Sequence, residues 1–272
     1  MTTGDEGFVP QFADLLRVDG RSFVVVGAGV GIGRQTSHAL SQLGGRILCV
    51  DIDGDRAAEI AGEVGGTPCV ADARERSEAE RIMAEAEAAF GRVDGLVDIV
   101  GMARFVPLLD TPEEDWEWTL GMCVRHAFHL VQAGGRAMAA HGGTMVFVAS
   151  IDGIVSAPYH AAYGVAKAGL LNLVRTSSVE LGPMGIRVNA VAPGPTKTPR
   201  IMARSRGAMA ASPSAGGTLY IPLGEVNETW DIASSILFLS SGLSRHVNGH
   251  CIVVDGGAIN LMYDIEKMSP TR

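Results

Sequence analysis

Between Ser22 and Asp51 the sequence runs through an apolar stretch, a glycine cluster, a helical pattern and a second apolar stretch that ends on an acid. Phe23-Val24-Val25-Val26 is short and rich in β-branched residues, as a strand covered on both faces requires. It leads into Gly27-Ala28-Gly29-Val30-Gly31-Ile32-Gly33 and then into residues 34–43, which suit a helix. Ile47-Leu48-Cys49-Val50 reads as the next strand, closed by Asp51. Strand, glycine turn, helix, strand and terminal acid is the plan of a βαβ unit that binds a dinucleotide. The glycines permit a sharp turn and close approach to a pyrophosphate, whose charge sits at the helix N-terminus. Gly27, Gly31 and Gly33 follow a GxxxGxG spacing rather than GxGxxG, and Asp51 stands eighteen residues after Gly33. A plain tight turn carries similar glycines; the flanking strands and the acid favour the nucleotide.

The alternation continues downstream. Asp53-Gly54-Asp55 is a turn and N-cap before a helix at 56–64, which Gly65-Gly66 ends. A strand at 67–71 closes on Asp72, and an amphipathic helix at 74–90 carries Ile82, Ala86 and Phe90 on one face. Further strands are expected at 93–100, 144–149, 186–191 and 251–254. Helices are expected from Pro112 to about residue 140, at 160–181 and at 229–240. Residues from Pro193 to about Leu223, rich in Pro, Gly, Ser, Ala and Met, read as a long irregular segment. Strict alternation of β and α predicts an α/β fold: a single-domain, Rossmann-like, doubly wound parallel sheet of about seven strands with helices on both faces. Residues 1–18 read as an N-terminal extension with a short helix at 11–16. Residues 19–272 read as one nucleotide-binding domain with a lid at 195–222.

Composition narrows the partners. A net charge of -8 without any basic run disfavours nucleic acid. No signal peptide is visible at the acidic start, and no apolar stretch reaches the ~18 residues of a membrane span, so a cytoplasmic protein with no membrane partner is expected. Cys49, Cys69, Cys123 and Cys251 lie far apart and read as buried free thiols in a reducing compartment.

One constellation carries chemistry. Tyr163 and Lys167 are four residues apart, hence on one face of a helix. An ammonium held there favours the phenolate, bringing Tyr163 from about 10 toward neutrality as an acid/base. Ser150, thirteen residues before Tyr163, falls at the carboxyl end of a strand, the edge where open α/β sheets bind ligands.

Together with Asn189-Ala190-Val191-Ala192-Pro193-Gly194-Pro195-Thr196-Lys197-Thr198 and Val253-Val254-Asp255-Gly256-Gly257, these residues resemble the short-chain dehydrogenase/reductase family over nearly the whole chain. The resemblance implies that Tyr163 exchanges a proton with a carbonyl or alcohol oxygen and that Ser150 hydrogen-bonds the same oxygen. It also implies that Lys167 binds the nicotinamide ribose and lowers the Tyr163 pKa. The cofactor then lies along Gly27, Gly31, Ile32 and Gly33, along Asp51, Ile52, Asp72 and Ala73, and along Val100 and Gly101. Tyr163, Lys167, Pro193, Gly194, Thr196 and Thr198 complete its site. Asp51 can accept hydrogen bonds from ribose hydroxyls and repels a 2′-phosphate, and Val30 and Ile52 supply no compensating cation, so NAD is the expected cofactor.

Three positions depart from the family pattern. Val26 replaces the usual threonine before the first glycine. Asp98-Ile99-Val100-Gly101 replaces Asn-Asn-Ala-Gly, and Cys123 aligns with the catalytic asparagine that anchors water in the proton relay. Cys123, His126 and His129 drift round a helix by about 60° per step and read as ordinary helix residues, some at a subunit contact, not as a metal site. Tyr159 reads as a pocket wall, and His246 and His250 as surface or interface residues.

The expected activity interconverts a secondary alcohol and a ketone on a small or medium apolar substrate, with Met202, Met209, Leu219 and Ile221 lining a mobile lid. A homo-oligomer, a tetramer by resemblance, is expected from the small residues of helix 160–181. The alternatives are a non-catalytic nucleotide-binding or regulatory protein on the same fold and an NADPH-linked oxoacyl reductase.

Overall fold

The computed structural model describes residues 9–208 and 220–260. A short helix α1 (Phe12–Leu16) precedes β1 (Ser22–Val26), α2 (Ile32–Gln42), β2 (Arg46–Asp51), α3 (Gly54–Val64), β3 (Thr67–Val70), α4 (Arg76–Phe90) and β4 (Gly95–Asp98). Then follow α5 (Glu113–Leu120), a π-helical turn (Gly121–Arg125), α6 (His126–Met138), β5 (Gly143–Val148), α7 (Ala161–Leu181) and β6 (Ile186–Pro193). Helices α8 (Pro199–Ala208) and α9 (Thr229–Ser240) and strand β7 (Cys251–Val254) complete the order. All seven strands are parallel, in the order β3-β2-β1-β4-β5-β6-β7.

The near-continuous apolar strands follow from having both faces covered. Successive side chains point to opposite sides, so Val24 and Val26 of β1 enter the core under α4, α6 and α7. Phe23 and Val25 enter the core under α2, α3 and α9. Strand order reverses between β1 and β4, which opens a crevice at their carboxyl ends. Among the described residues, no helix is long and apolar enough to cross a membrane.

Several expectations change. Strand β4 stops at Asp98 rather than at 100, because the Asp98 carboxylate accepts from the Val100 N–H (3.1 Å) and turns the chain out of the sheet. The helix expected from Pro112 to about 140 is interrupted: the His126 N–H bonds the Gly121 carbonyl, five residues back, around Cys123. The segment expected to be irregular contains α8, started by Pro199 at its first position and capped by the Thr198 hydroxyl, which accepts from the Ile201 N–H at 3.3 Å. The lid residues Met209 and Leu219 lie outside the described residues.

Candidate active site

The carboxyl edge of the sheet gathers the residues singled out in the sequence. Gly31, at the N-cap of α2, has φ 61°, a left-handed conformation that suits glycine. A Cβ on Gly33 would lie 1.9 Å from the Gly27 carbonyl oxygen, so only glycine lets α2 start this close to β1. Asp51 is buried, and its carboxylate accepts from the Gly29 N–H at 3.0 Å and the Asp53 N–H at 3.1 Å. The acid is thereby aimed at the glycine turn. Ile52 beside it is exposed, and Val30 too, so neither is shielded. At the end of β3, Ala73 is buried, and Asp72 is gripped by the Arg74 guanidinium at 2.9 and 3.0 Å, which holds its carboxyl below the usual range. Val100 stands against Gly27 on the far side of the turn.

Ser150 lies two residues beyond β5, at the sheet's carboxyl edge, and Tyr163 and Lys167 share a face of α7, as expected. Lys167 is buried, and its Nζ donates to the Val148 carbonyl at 2.7 Å and lies 5.7 Å from the centre of the Tyr163 ring. The same ammonium abuts Gly101: a Cβ there would come within 2.7 Å of it. Burial lifts the Tyr163 phenol above its ordinary value; the Lys167 charge and the nearby Ser150 hydroxyl pull it back only in part. The expectation of a near-neutral phenol is therefore corrected: desolvation outweighs the lysine.

The helix around Cys123 differs most from its sequence reading. His126 is fully buried, and its Nε2 meets Asp98 Oδ2 at 2.9 Å beneath the crevice. It belongs to the interior and not to a subunit contact. The acid at the place of the family's first asparagine and the histidine three residues after Cys123 thus form one pair. Burial and the Arg76 charge lower the pKa of His129, whose Nδ1 is buried without a partner. Cys123 Sγ donates to the Met102 carbonyl at 3.2 Å, and burial holds the thiol in its neutral form despite the nearby Lys167.

The strand β6 exit supplies the last wall. Pro193 ends the strand, the Gly194 N–H bonds the Val254 carbonyl at 2.8 Å, and Thr196 Oγ1 donates back to the Gly194 carbonyl at 2.9 Å. From there the chain carries Thr198 and Pro199 against Gly31, while Arg200 reaches the Gly101 carbonyl at 3.3 Å. Helix α8 therefore lies across the crevice. Tyr159 is half exposed, and His246 and His250 are exposed, as expected. Cys49 and Cys69 are buried free thiols pushed up to about 12.

Two residues of this site escaped the sequence reading. Asp152 and His160 flank Ser150 and Tyr163, and their side chains stand 3.9 Å apart. Their signal was position alone: two residues after the serine and three before the tyrosine.

The family model described as enoyl-(acyl carrier protein) reductase matches residues 27–259. An L-rhamnose 1-dehydrogenase (NAD(P)(+)) of Azotobacter vinelandii is 35% identical over 254 residues, covering 89% of this chain and 98% of its own. A 3-oxoacyl-[acyl-carrier-protein] reductase FabG of Thermotoga maritima is 30% identical, covering 90% of this chain and 100% of its own. The solved structure of a 7α-hydroxysteroid dehydrogenase, complexed with NADH and 7-oxo glycochenodeoxycholic acid, matches with a TM-score of 0.84 at 28% identity, covering 92% of this chain and 99% of that one. With the glycine turn, the strand-end serine and the Tyr163–Lys167 pair on one sheet edge, the chain belongs to the short-chain dehydrogenase/reductase family of nicotinamide-dependent oxidoreductases.

Proposed function

We propose that this oxidoreductase is an NAD(H)-dependent dehydrogenase that interconverts a small or medium secondary alcohol and its ketone. The observation that carries the reading is Tyr163 on one face of α7 with the buried Lys167 ammonium, whose Nζ lies 5.7 Å from the phenol ring centre. Tyr163 takes the hydroxyl proton in oxidation and returns it in reduction, while Ser150 holds the same oxygen. Lys167 favours the phenolate and offers Nζ to ribose hydroxyls in exchange for the Val148 carbonyl. Gly27, Gly31, Ile32 and Gly33 would hold the pyrophosphate, with the N-terminus of α2 facing its charge. Asp51 and Ile52 would hold the adenosine ribose, Asp72 and Ala73 the adenine, and Val100, Gly101, Pro193, Gly194, Thr196 and Thr198 the remainder. When bound, the nicotinamide supplies the hydride acceptor or donor. The lid is proposed to be segment 195–222 of a domain spanning 19–272, and the protein to be cytoplasmic, in keeping with its buried thiols.

Asp51 supports NAD over NADP. Its carboxylate faces the glycine turn, and Arg56, which neighbours Gly29, is paired with Asp53 at 3.3 Å instead of standing free for a 2′-phosphate. NADH fluorescence titration and steady-state rates should show tighter binding and a higher kcat/KM with NAD(H). A higher kcat/KM with NADP refutes the assignment and favours the oxoacyl reductase reading, which the FabG relative keeps in view. The neutral Cys123 thiol in place of a relay asparagine supports the non-catalytic reading; NADH binding with no oxidation by any of a panel of ketones would establish it.

A homotetramer is proposed from the exposed apolar side chains Phe128 on α6 and Val165 and Val179 on α7. Light scattering at micromolar concentration should give several times 28.4 kDa; a mass near 28.4 kDa sinks the proposal.

A further inference from the structure

Next to the catalytic pair, the pocket carries a polar couple that the proposed reaction does not use. Asp152 follows Ser150 by two residues, and its N–H donates to the Ser150 hydroxyl at 3.1 Å. His160 precedes Tyr163 by three, with ring centres 6.1 Å apart. Phe105 packs edge-on against the imidazole at 4.3 Å and fixes its plane. The segment is further pinned by Tyr159, a left-handed residue with φ 66°, whose carbonyl accepts from the Val106 N–H at 3.2 Å. A non-glycine residue is rarely held in this region, and it stays there only where the surrounding structure fixes it.

The couple itself is incomplete. His160 Nε2 and Asp152 Oδ2 are 3.9 Å apart, beyond hydrogen-bond reach. His160 Nδ1 is buried without a partner. Leaving a bare acceptor there is cheaper than stranding an N–H, so the imidazole proton belongs on Nε2, facing Asp152. Across the gap stand one donor and one acceptor. A group that accepts from the first and donates to the second closes the gap: a hydroxyl does both. A carboxylate is repelled by Asp152, and an ammonium cannot accept from His160. The two side chains keep 16% and 23% exposure, so the gap is open to solvent and is not sealed in the core.

We infer that Asp152 and His160 form a subsite for a second hydroxyl, on the carbon next to the reacting one, and that the substrate class is a vicinal diol or its α-hydroxyketone. The inference rests on the dehydrogenase reading above and gives its otherwise apolar pocket one polar corner. With one alcohol oxygen held by Ser150 and Tyr163, the neighbouring oxygen sits beside the His160 Nε2–Asp152 Oδ2 pair, off the line joining them and within hydrogen-bond reach of both. A site built to hydrogen-bond a substrate hydroxyl discriminates strongly against an analogue that lacks it, because its own polar groups are then left unpaired.

The test compares 2,3-butanediol with 2-butanol as substrates for oxidation with NAD, and acetoin with 2-butanone for reduction with NADH. Wild-type kcat/KM should favour the dihydroxy and hydroxyketone members by at least about tenfold. Asp152→Asn and His160→Phe should lose at least about tenfold more on those members than on the mono-functional ones, chiefly in KM. A merely structural role lowers both members of each pair together, and that result overturns the inference while leaving the dehydrogenase reading in place. So does turnover of 2-butanol without any preference for the diol. No turnover of any of the four, with no change in the fluorescence of bound NADH on adding the diol or acetoin, overturns both readings.

Discussion

Tyr163→Phe is expected to lower kcat by about 10³-fold or more, within the range that a positioned acid or base supplies, while NADH binds within about threefold of wild type. The variant removes one oxygen from a side chain whose ring keeps its place against His160 and Lys167. The pH profile carries the sign of the argument. Burial holds the phenol above its ordinary value, so the proton is present through the neutral range. Ketone reduction uses the protonated form and should fall as pH rises through this ionisation, whereas alcohol oxidation uses the phenolate and should rise. Cys123→Asn serves as the contrast in the same assay. Tyr163 still supplies the transferred proton there, and only its exchange with solvent changes route, so kcat should shift by less than about tenfold, or ~1.4 kcal/mol. Substantial turnover by Tyr163→Phe would falsify the acid/base assignment. A hundredfold gain in Cys123→Asn would mark the natural site as crippled and raise the non-catalytic reading above the enzyme.

The parts of this architecture that were legible are those written in local pattern. A buried parallel strand needs an apolar run, and a glycine turn needs residues without Cβ, so β1, the turn and Asp51 could be read directly from residues 22–51. Tyr163 and Lys167 were legible because helical spacing alone puts them on one face. What escaped depends on partners distant in sequence. His126 looks like any helix residue until Asp98, twenty-eight residues earlier, arrives beneath it. Whether Lys167 outweighs desolvation at Tyr163 is a question of burial, which spacing does not report. Helix α8 was hidden by its glycine-, alanine- and serine-rich surroundings, although Thr198-Pro199 is a start signal that could have been weighed. The π-helical turn left no periodicity to find, because α5 and α6 continue one another on either side.

The Asp98–His126 pair leads to the largest expected loss of stability. Asp98 is buried and serves two donors: His126 Nε2 at 2.9 Å and the Val100 N–H at 3.1 Å. His126 is fully buried, and its Nδ1 already lacks a partner. Asp98→Ala therefore strands a fully buried ring nitrogen and takes the acceptor from a half-buried backbone N–H at once. Breaking a buried pair by removing one member costs about 3–5 kcal/mol, because the other is left uncompensated. For a chain of this size that corresponds to a fall in Tm of roughly 6–12 °C at the lower figure. Asp98→Asn keeps a carbonyl acceptor for one of the two donors and should lose less than half as much. His126→Ala leaves Asp98 with the Val100 N–H alone, so the double variant Asp98→Ala/His126→Ala should be milder than the sum of its parts by at least about 1 kcal/mol. That coupling separates the pair from a simple loss of packing, which would add. An Asp98→Ala protein within about 0.5 kcal/mol of wild type, the range of ordinary surface changes, would show that the pair contributes nothing to holding β4 against α6.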